Sequence, residues 1–360
     1  MKKYKKLIED CLKIASKGEG QVSPNPLVGA VLIDGDGNFI SSGYHQKCGE
    51  AHAEVNAINA AEKNVKGATI AVNLEPCSHY GKTPPCADLI IKSGIKRVII
   101  GMQDPNPKVD GGGIKKLQDA GIEVICGVLE DKCKKLNEIF ITNQTKQKPF
   151  VAIKTATTAD GKIATANGDS KWITCEKSRK YVHKLRNKYD AILTSSNTVL
   201  ADNPQMTCRI KNGRNPIRVL VDRCLKTDFS SKIYENNGAK VFIAVDENIK
   251  KLPQTPNYIE FIKCPVVKGN LDLAFLLNKL FEKGIMSILV EAGGTFNGAL
   301  LKTGMVDKIY HFYAPKILGD NRAISFVSGF SPQKIKKSLQ YKIGSLKKFE
   351  NDIMVEYYPA

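Results

Sequence analysis

Short apolar runs alternate with helix-period stretches along this chain, stop at a polar break over Lys146–Pro149, and then start again. Such alternation demands a sheet that is parallel over much of its width, because a helix must carry the chain back before the next strand can pair. Before the break, Leu27–Ile33, Asn38–Tyr44, Thr69–Asn73, Arg97–Gly101 and Glu123–Cys126 read as strands. The first two flank the turn sequence Asp34-Gly35-Asp36-Gly37. Helical stripes fall at Tyr4–Ser16, Ala51–Glu62, Cys86–Ser93 and Gly113–Ala120. After the break, strands are expected at Phe150–Thr155, Ala191–Thr194, Ile217–Val221, Lys240–Ala244, Ser287–Glu291 and Lys308–Tyr313, with helices at Cys175–Lys188 and Leu271–Lys283. The length of 360 residues suits two domains. They are placed at 1–146 and 147–360, both α/β.

Composition narrows the setting. No run of about 18 apolar residues is present, so no transmembrane helix is expected. The N-terminal stretch is basic and then amphipathic, without the apolar core of an export signal. A cytoplasmic location follows, in which ten cysteines stay reduced and a few can serve a metal. Lys plus Arg total 54 against 36 Asp plus Glu, a formal charge of +18. The excess either draws anions, from nucleic acid to phosphorylated small molecules, or reflects a basic background, since the lysines are scattered.

The first half carries one cluster with chemistry in it. Ala51-His52-Ala53-Glu54 opens a helix, Glu75-Pro76-Cys77 ends a strand, and Cys86 opens the next helix. One imidazole and two thiolates suit tetrahedral zinc with a position left for water. Glu54, two residues past His52, can reach that water without being a ligand and shuttle its proton to a ring nitrogen and a departing amine. The order H-x-E…P-C…C is that of base deaminases. Here eight residues, Ser78 to Pro85, separate the two cysteines instead of two.

That insert, in LEPCSHYGKTPPCADLI, together with SPNPLVGAVLI before it and GMQDPNP after it, closely resembles the deaminase half of the bifunctional riboflavin-biosynthesis deaminase/reductases. The resemblance implies a cytidine-deaminase-like α/β/α domain in which His52, Cys77 and Cys86 hold one zinc ion and Glu54 is the proton shuttle. It implies substrate contacts from Asn25, His45, His79 and Lys82. An amide can read a pyrimidine edge, and a lysine or histidine can meet phosphate or ribose.

The second half has no G-x-G-x-x-G after its first strand, so a Rossmann site is not supported. It has Glu291-Ala292-Gly293-Gly294-Thr295, a strand end running through paired glycines into a helix-like segment where amides could approach phosphate. Segments 154–162, 168–174 and 198–209 resemble the reductase half of the same family. That resemblance implies a dihydrofolate-reductase-like α/β domain using NADPH. Its cofactor would lie against Ala156, Trp172, Thr198, Asp202 and the turn Gly293, Gly294, Thr295, Phe296, Asn297, Gly298 and Ala299. Its substrate would meet Lys154, Ser170, Arg186, Met206, Arg209 and Glu291. Arg186 and Arg209 suit phosphate, and Lys154, a donor only, suits a ring carbonyl over an amino group. The implied substrate is a phosphorylated pyrimidine, with no nucleic acid or membrane partner and with homo-oligomers formed through the reductase domain. A nucleic-acid (tRNA) base deaminase with an accessory domain is the alternative; it shares the zinc motif but not the long insert.

Overall fold

A five-stranded sheet organises the first of two units, Met1–Gln147, in a computed structural model that describes residues 1–78, 80, 84–106 and 111–360. Its elements are α1 (Lys2–Ala15), β1 (Gly29–Ile33), β2 (Phe39–Tyr44), α2 (Ala53–Asn59), β3 (Thr69–Leu74), α3 (Cys86–Lys92), β4 (Arg97–Met102), α4 (Gly112–Asp119), β5 (Glu123–Ile125), α5 (Glu130–Leu136) and α6 (Glu138–Lys146). The strand order is β2-β1-β3-β4-β5. β1 runs antiparallel to both neighbours, whereas β3, β4 and β5 are parallel.

Period-two alternation sorts β1 between two cores. Ala30 and Leu32 pack with Ala53 and Ala57 of α2, Ala87 and Ile90 of α3, and Leu117 of α4. Val31 and Ile33 pack with Leu7, Ile8 and Cys11 of α1, Cys133 of α5 and Phe140 of α6. Helices therefore cover both faces, the expected α/β/α sandwich. α5 and α6 lie outside the helices that the residue pattern predicts.

One polar network and one close backbone approach fix the elements near the chemistry. Glu75, buried one residue past β3, accepts hydrogen bonds from the amides of Asp104, Gly111, Gly113 and Ile114 at 2.9–3.2 Å. It thereby gathers the start of α4 against the end of β3. On the other side, α2 lies so close to β2 that a Cβ on Gly43 would meet the Ala57 nitrogen at 2.3 Å.

The second unit, Lys148–Ala360, is built on a nine-stranded sheet. Its elements are β6 (Phe150–Thr157), β7 (Lys162–Ala164), α7 (Glu176–Lys188), β8 (Ala191–Ser195), α8 (Ser196–Asp202), β9 (Ile217–Val221), β10 (Val241–Asp246), β11 (Ile259–Cys264), β12 (Val266–Val267), β13 (Asn270–Leu271), α9 (Leu273–Glu282), β14 (Ser287–Val290), α10 (Gly294–Lys302), β15 (Val306–Tyr313), β16 (Ile324–Ser325), β17 (Tyr341–Phe349) and β18 (Asp352–Pro359). The order is β11-β10-β9-β8-β14-β6-β15-β18-β17. All pairings are parallel except those of β18 with β15 and β17. The final hairpin, β17–β18, lies outside the strands that the residue pattern predicts.

The carboxyl ends of β6, β14, β8 and β9 open into one cleft of about 1440 Å³. This is where ligands of open parallel sheets bind.

Gly43→Ala tests how tightly α2 must sit. It is expected to destabilise the chain by about 1–3 kcal/mol through overpacking and to weaken metal retention by displacing His52. Urea denaturation with metal analysis checks it; unchanged values for both would contradict the close packing.

Candidate active sites

In the first unit, β3 delivers Cys77 while α2 and α3 deliver His52 and Cys86. The His52 Nδ1 and the two Sγ atoms lie within 4.8 Å of one another. Nδ1 is 3.7 Å from Cys77 Sγ and 3.3 Å from Cys86 Sγ. Tetrahedral zinc with ordinary bond lengths separates N and S ligands by about 3.6 Å, so the donor set fits that ion. The Cys77 thiol is driven down by its hydrogen bonds from Cys86 and His52, burial opposing. The Cys86 backbone amide also donates to Cys77 Sγ at 3.3 Å, and thiols bind a thiophilic ion in their deprotonated form.

Glu54 is buried in the first turn of α2. Burial first, and then the neighbouring Cys77, push its carboxyl up to about 7. A carboxyl in that state can both give and take a proton.

His45 uses both ring nitrogens inside the protein. Nδ1 lies 3.1 Å from the Ala51 carbonyl, and Nε2 lies 3.0 Å from the Asn25 amide nitrogen. The ring is 5.5 Å from that of His52. The geometry therefore makes His45 an orienter of Asn25 more than a surface for substrate. His79 and Lys82 lie outside the described residues.

In the second unit, the cleft lining brings together Lys154, Ala156, Ser170, Trp172, Arg186, Thr198, Asp202, Met206, Arg209 and Glu291. From the glycine turn it takes Gly293, Gly294, Thr295, Phe296 and Ala299. Asn297 and Gly298 are outside the lining. The Asn297 side chain is buried against the Phe326 carbonyl, and a Cβ on Gly298 would collide with the Ser328 carbonyl oxygen. Gly293 caps α10, and a Cβ there would enter open space. The first amides of α10 thus face a cleft wide enough for a phosphate.

Arg186 departs from the simple phosphate-clamp expectation. Its Nε and Nη2 donate to the Glu291 carboxylate at 2.8 and 2.9 Å, and Nη1 donates to the Thr207 carbonyl at 3.0 Å. Arg209 sits at the rim, with Nη2 3.2 Å from Gln205 Oε1, and remains the more available cation. Lys154 Nζ lies 4.0 Å from Glu291, and burial lowers its pKa against the pull of that carboxylate. Burial alone would raise the Glu291 carboxyl, but Arg186 and Lys154 outweigh it and hold the group at about 2. Trp172 is 62% exposed, with the Arg179 guanidinium over its ring at 4.5 Å, a shelf and not a core residue.

His183, Arg223, Lys226 and Lys232 also line the cleft and were not singled out from the sequence. His183 precedes Arg186 by one helical turn on α7, a spacing that could have found it.

A three-ligand centre with a buried carboxylate on one unit, and a phosphate-ready cleft on the other, define a bifunctional deaminase and reductase. Residues 1–102 match the cytidine and deoxycytidylate deaminase zinc-binding region, and residues 149–355 match the RibD C-terminal domain. The chain belongs to the RibD family, the bifunctional deaminase/reductases of riboflavin biosynthesis. It is 39% identical to riboflavin biosynthesis protein RibD of Actinobacillus pleuropneumoniae, over 96% of this chain and 93% of that one. Against the Escherichia coli protein of the same name it is 39% identical, over 97% of each chain. The solved structure of a diaminohydroxyphosphoribosylaminopyrimidine deaminase/5-amino-6-(5-phosphoribosylamino)uracil reductase from Thermotoga maritima matches at TM-score 0.90 and 42% identity, over 100% of this chain and 99% of that one. Acinetobacter baumannii RibD matches at 0.87 and 33%, with the same coverage.

The Glu291 network makes a pH prediction. Its carboxyl falls from an ordinary 4.5 to about 2, so its stabilisation is complete above pH 4.5 and is lost as pH falls toward 2. Glu291→Gln is expected to cost about 2–4 kcal/mol at pH 7 by stranding the partly buried Arg186 and Lys154. Its deficit relative to wild type narrows below pH 4.5. A deficit constant down to pH 2.5 in urea titrations would contradict the pairing.

Proposed function

We propose that the first unit deaminates 2,5-diamino-6-(ribosylamino)pyrimidin-4-one 5′-phosphate. The second then reduces the ribosyl side chain with NADPH to give 5-amino-6-(ribitylamino)uracil 5′-phosphate. The observation that carries the reading is the open donor set of His52, Cys77 and Cys86 with Glu54 buried beside it, on the same chain as the cleft around Lys154 and Glu291. The names of the relatives supply the substrate.

One zinc ion per deaminase unit would be held by those three side chains and would supply the activation of water for attack on the ring carbon that bears the amino group. Glu54 is placed to carry one proton of the attacking water to the ring nitrogen and the remaining hydroxyl proton to the departing amine, so that the C–N bond breaks, ammonia leaves and the carbonyl forms. Asn25, its amide oriented by His45, reads the pyrimidine edge. His79 and Lys82 are assigned to the ribosyl phosphate.

NADPH, when bound, supplies the hydride for the ribosyl carbon. The amides at the start of α10 receive its pyrophosphate, and Ala156, Trp172, Thr198 and Asp202 border the rest. Lys154, half-buried in the cleft wall, donates to the carbonyl that deamination creates, so the second site favours the product of the first. Arg209 takes the substrate phosphate, while Glu291 holds Arg186 and Lys154 in place beside Ser170 and Met206. Homo-oligomers through the reductase unit are supported by Ile343 and Leu346, exposed on the outer strand β17. The cytoplasm is the assigned compartment, where the ten cysteines, none of them in a disulfide, remain reduced. No helix among the described residues is long and apolar enough to cross a membrane.

Glu54→Gln is expected to slow deamination about 10²–10⁴-fold while retaining zinc and leaving reduction of the deaminated intermediate intact. Loss of both activities together would argue against two separate sites. In Lys154→Ala, the preference of the reductase for deaminated over aminated ring should collapse; a preserved preference in competition assays would remove Lys154 from that role.

A further inference from the structure

The two arginines assigned to the second site are held in different ways. Arg186 spends its fork on the Glu291 carboxylate and the Thr207 carbonyl. Arg209, exposed at the rim and assigned to the substrate phosphate, is held by a neutral group: its Nη2 donates to Gln205 Oε1 at 3.2 Å. The Gln205 Nε2 donates in turn to Glu235 Oε2 at 3.0 Å. Gln205 lines the cleft together with Arg209, whereas Glu235 stands outside the lining.

That order has a physical consequence. A carboxylate only accepts hydrogen bonds, so Glu235 settles which end of the amide turns toward it and leaves the Gln205 oxygen for the guanidinium. Arg209 is thereby anchored through one N–H, and among the described residues the rest of its fork is uncommitted. A carboxylate in the place of the amide would hold the arginine as well, but it would cancel the positive charge and repel a phosphate. The acidic group is set one side chain back instead.

The chain of contacts is rooted in the core. Arg218, fully buried, donates to the carbonyls of Ile233, Glu235 and Ala239 at 2.6–3.0 Å, which fixes the backbone that presents the Glu235 carboxylate. A second tie joins the same two segments, where the Lys232 amide donates to Asn203 Oδ1 at 2.8 Å. Met206, the residue after Gln205, is buried in one apolar cluster with Ile233 and Tyr234.

We infer that Gln205, oriented by Glu235, is a positioning residue for recognition of the substrate phosphate in the reduction step. It holds the Arg209 guanidinium at the rim without neutralising it, and so sets how strongly the second site distinguishes a phosphorylated substrate from its dephosphorylated counterpart. This rests on the assignment of Arg209 to the substrate phosphate and adds the two residues that keep that cation available.

Steady-state reduction by the zinc-loaded full chain with NADPH tests it, with the deaminated intermediate compared against the same compound lacking its phosphate. Gln205→Glu is expected to raise KM for the phosphorylated compound about tenfold, an effect that shrinks as salt rises. Gln205→Ala and Glu235→Gln are each expected to raise it about threefold through the loss of one oriented hydrogen bond. In all three, kcat and the KM of the compound without phosphate stay within about twofold of wild type. Variants that leave KM unchanged, or that raise it for both compounds alike, would overturn the inference. Arg209→Ala separates it from the assignment on which it rests. A KM rise confined to the phosphorylated compound, with no effect of the Gln205 variants, would keep Arg209 on the phosphate and remove Gln205 from its role. An Arg209→Ala variant with wild-type KM for both compounds would overturn the assignment and the inference together.

Discussion

A carboxylate one residue beyond the end of a parallel strand, buried at Glu75 and Asp222 and largely buried at Glu291, organises this molecule three times over. Glu75 follows β3, Asp222 follows β9 and Glu291 follows β14. A carboxylate removed from water is tolerated only when its oxygens are filled by amides or cations, and each fills them differently. Glu75 collects four backbone amides and sets the approach to Cys77. Asp222 folds a turn around itself. Glu291 binds two cationic side chains, Arg186 and Lys154. The strand ends are thereby stiffened where loops would otherwise be free, and functional side chains are presented from fixed backbone.

The two units handle charge in opposite ways. Around the metal-type centre, thiolate character and a buried acid dominate, as needed to hold a divalent ion and move protons. In the reductase cleft, cations outnumber acids, as an anionic substrate and an anionic cofactor require. The formal charge of +18 therefore has at least one local purpose, although lysines elsewhere on the surface have none that the structure assigns.

Much of this was legible in the residues. Strands such as Thr69–Leu74 and Ile217–Val221 are short, apolar and buried, so periodicity finds them within a residue or two. The His52, Glu54, Cys77 and Cys86 set was legible because zinc chemistry restricts both residue type and order. Helices α5 and α6 escaped because Glu130–Lys146 is polar, with Cys133 and Phe140 as its main apolar anchors. Strand β17 escaped because its lysines and its outer position break the alternation that a half-buried strand shows. The engagement of Arg186 by Glu291 joins residues 105 positions apart, and no local pattern announces it. The same holds for Asp222 and Arg218, whose roles exist only once the loops have folded over them.

The account stands on two reactions running in series on one chain. Mass spectrometry of products formed by the zinc-loaded full chain from the diaminopyrimidine ribosyl phosphate, with NADPH present, addresses that most directly. The account predicts a product in which one ring amino group has become a carbonyl oxygen and two hydrogens have been added to the ribosyl chain, with the deaminated, unreduced species appearing first. Unchanged substrate, or a product reduced without deamination, would contradict it.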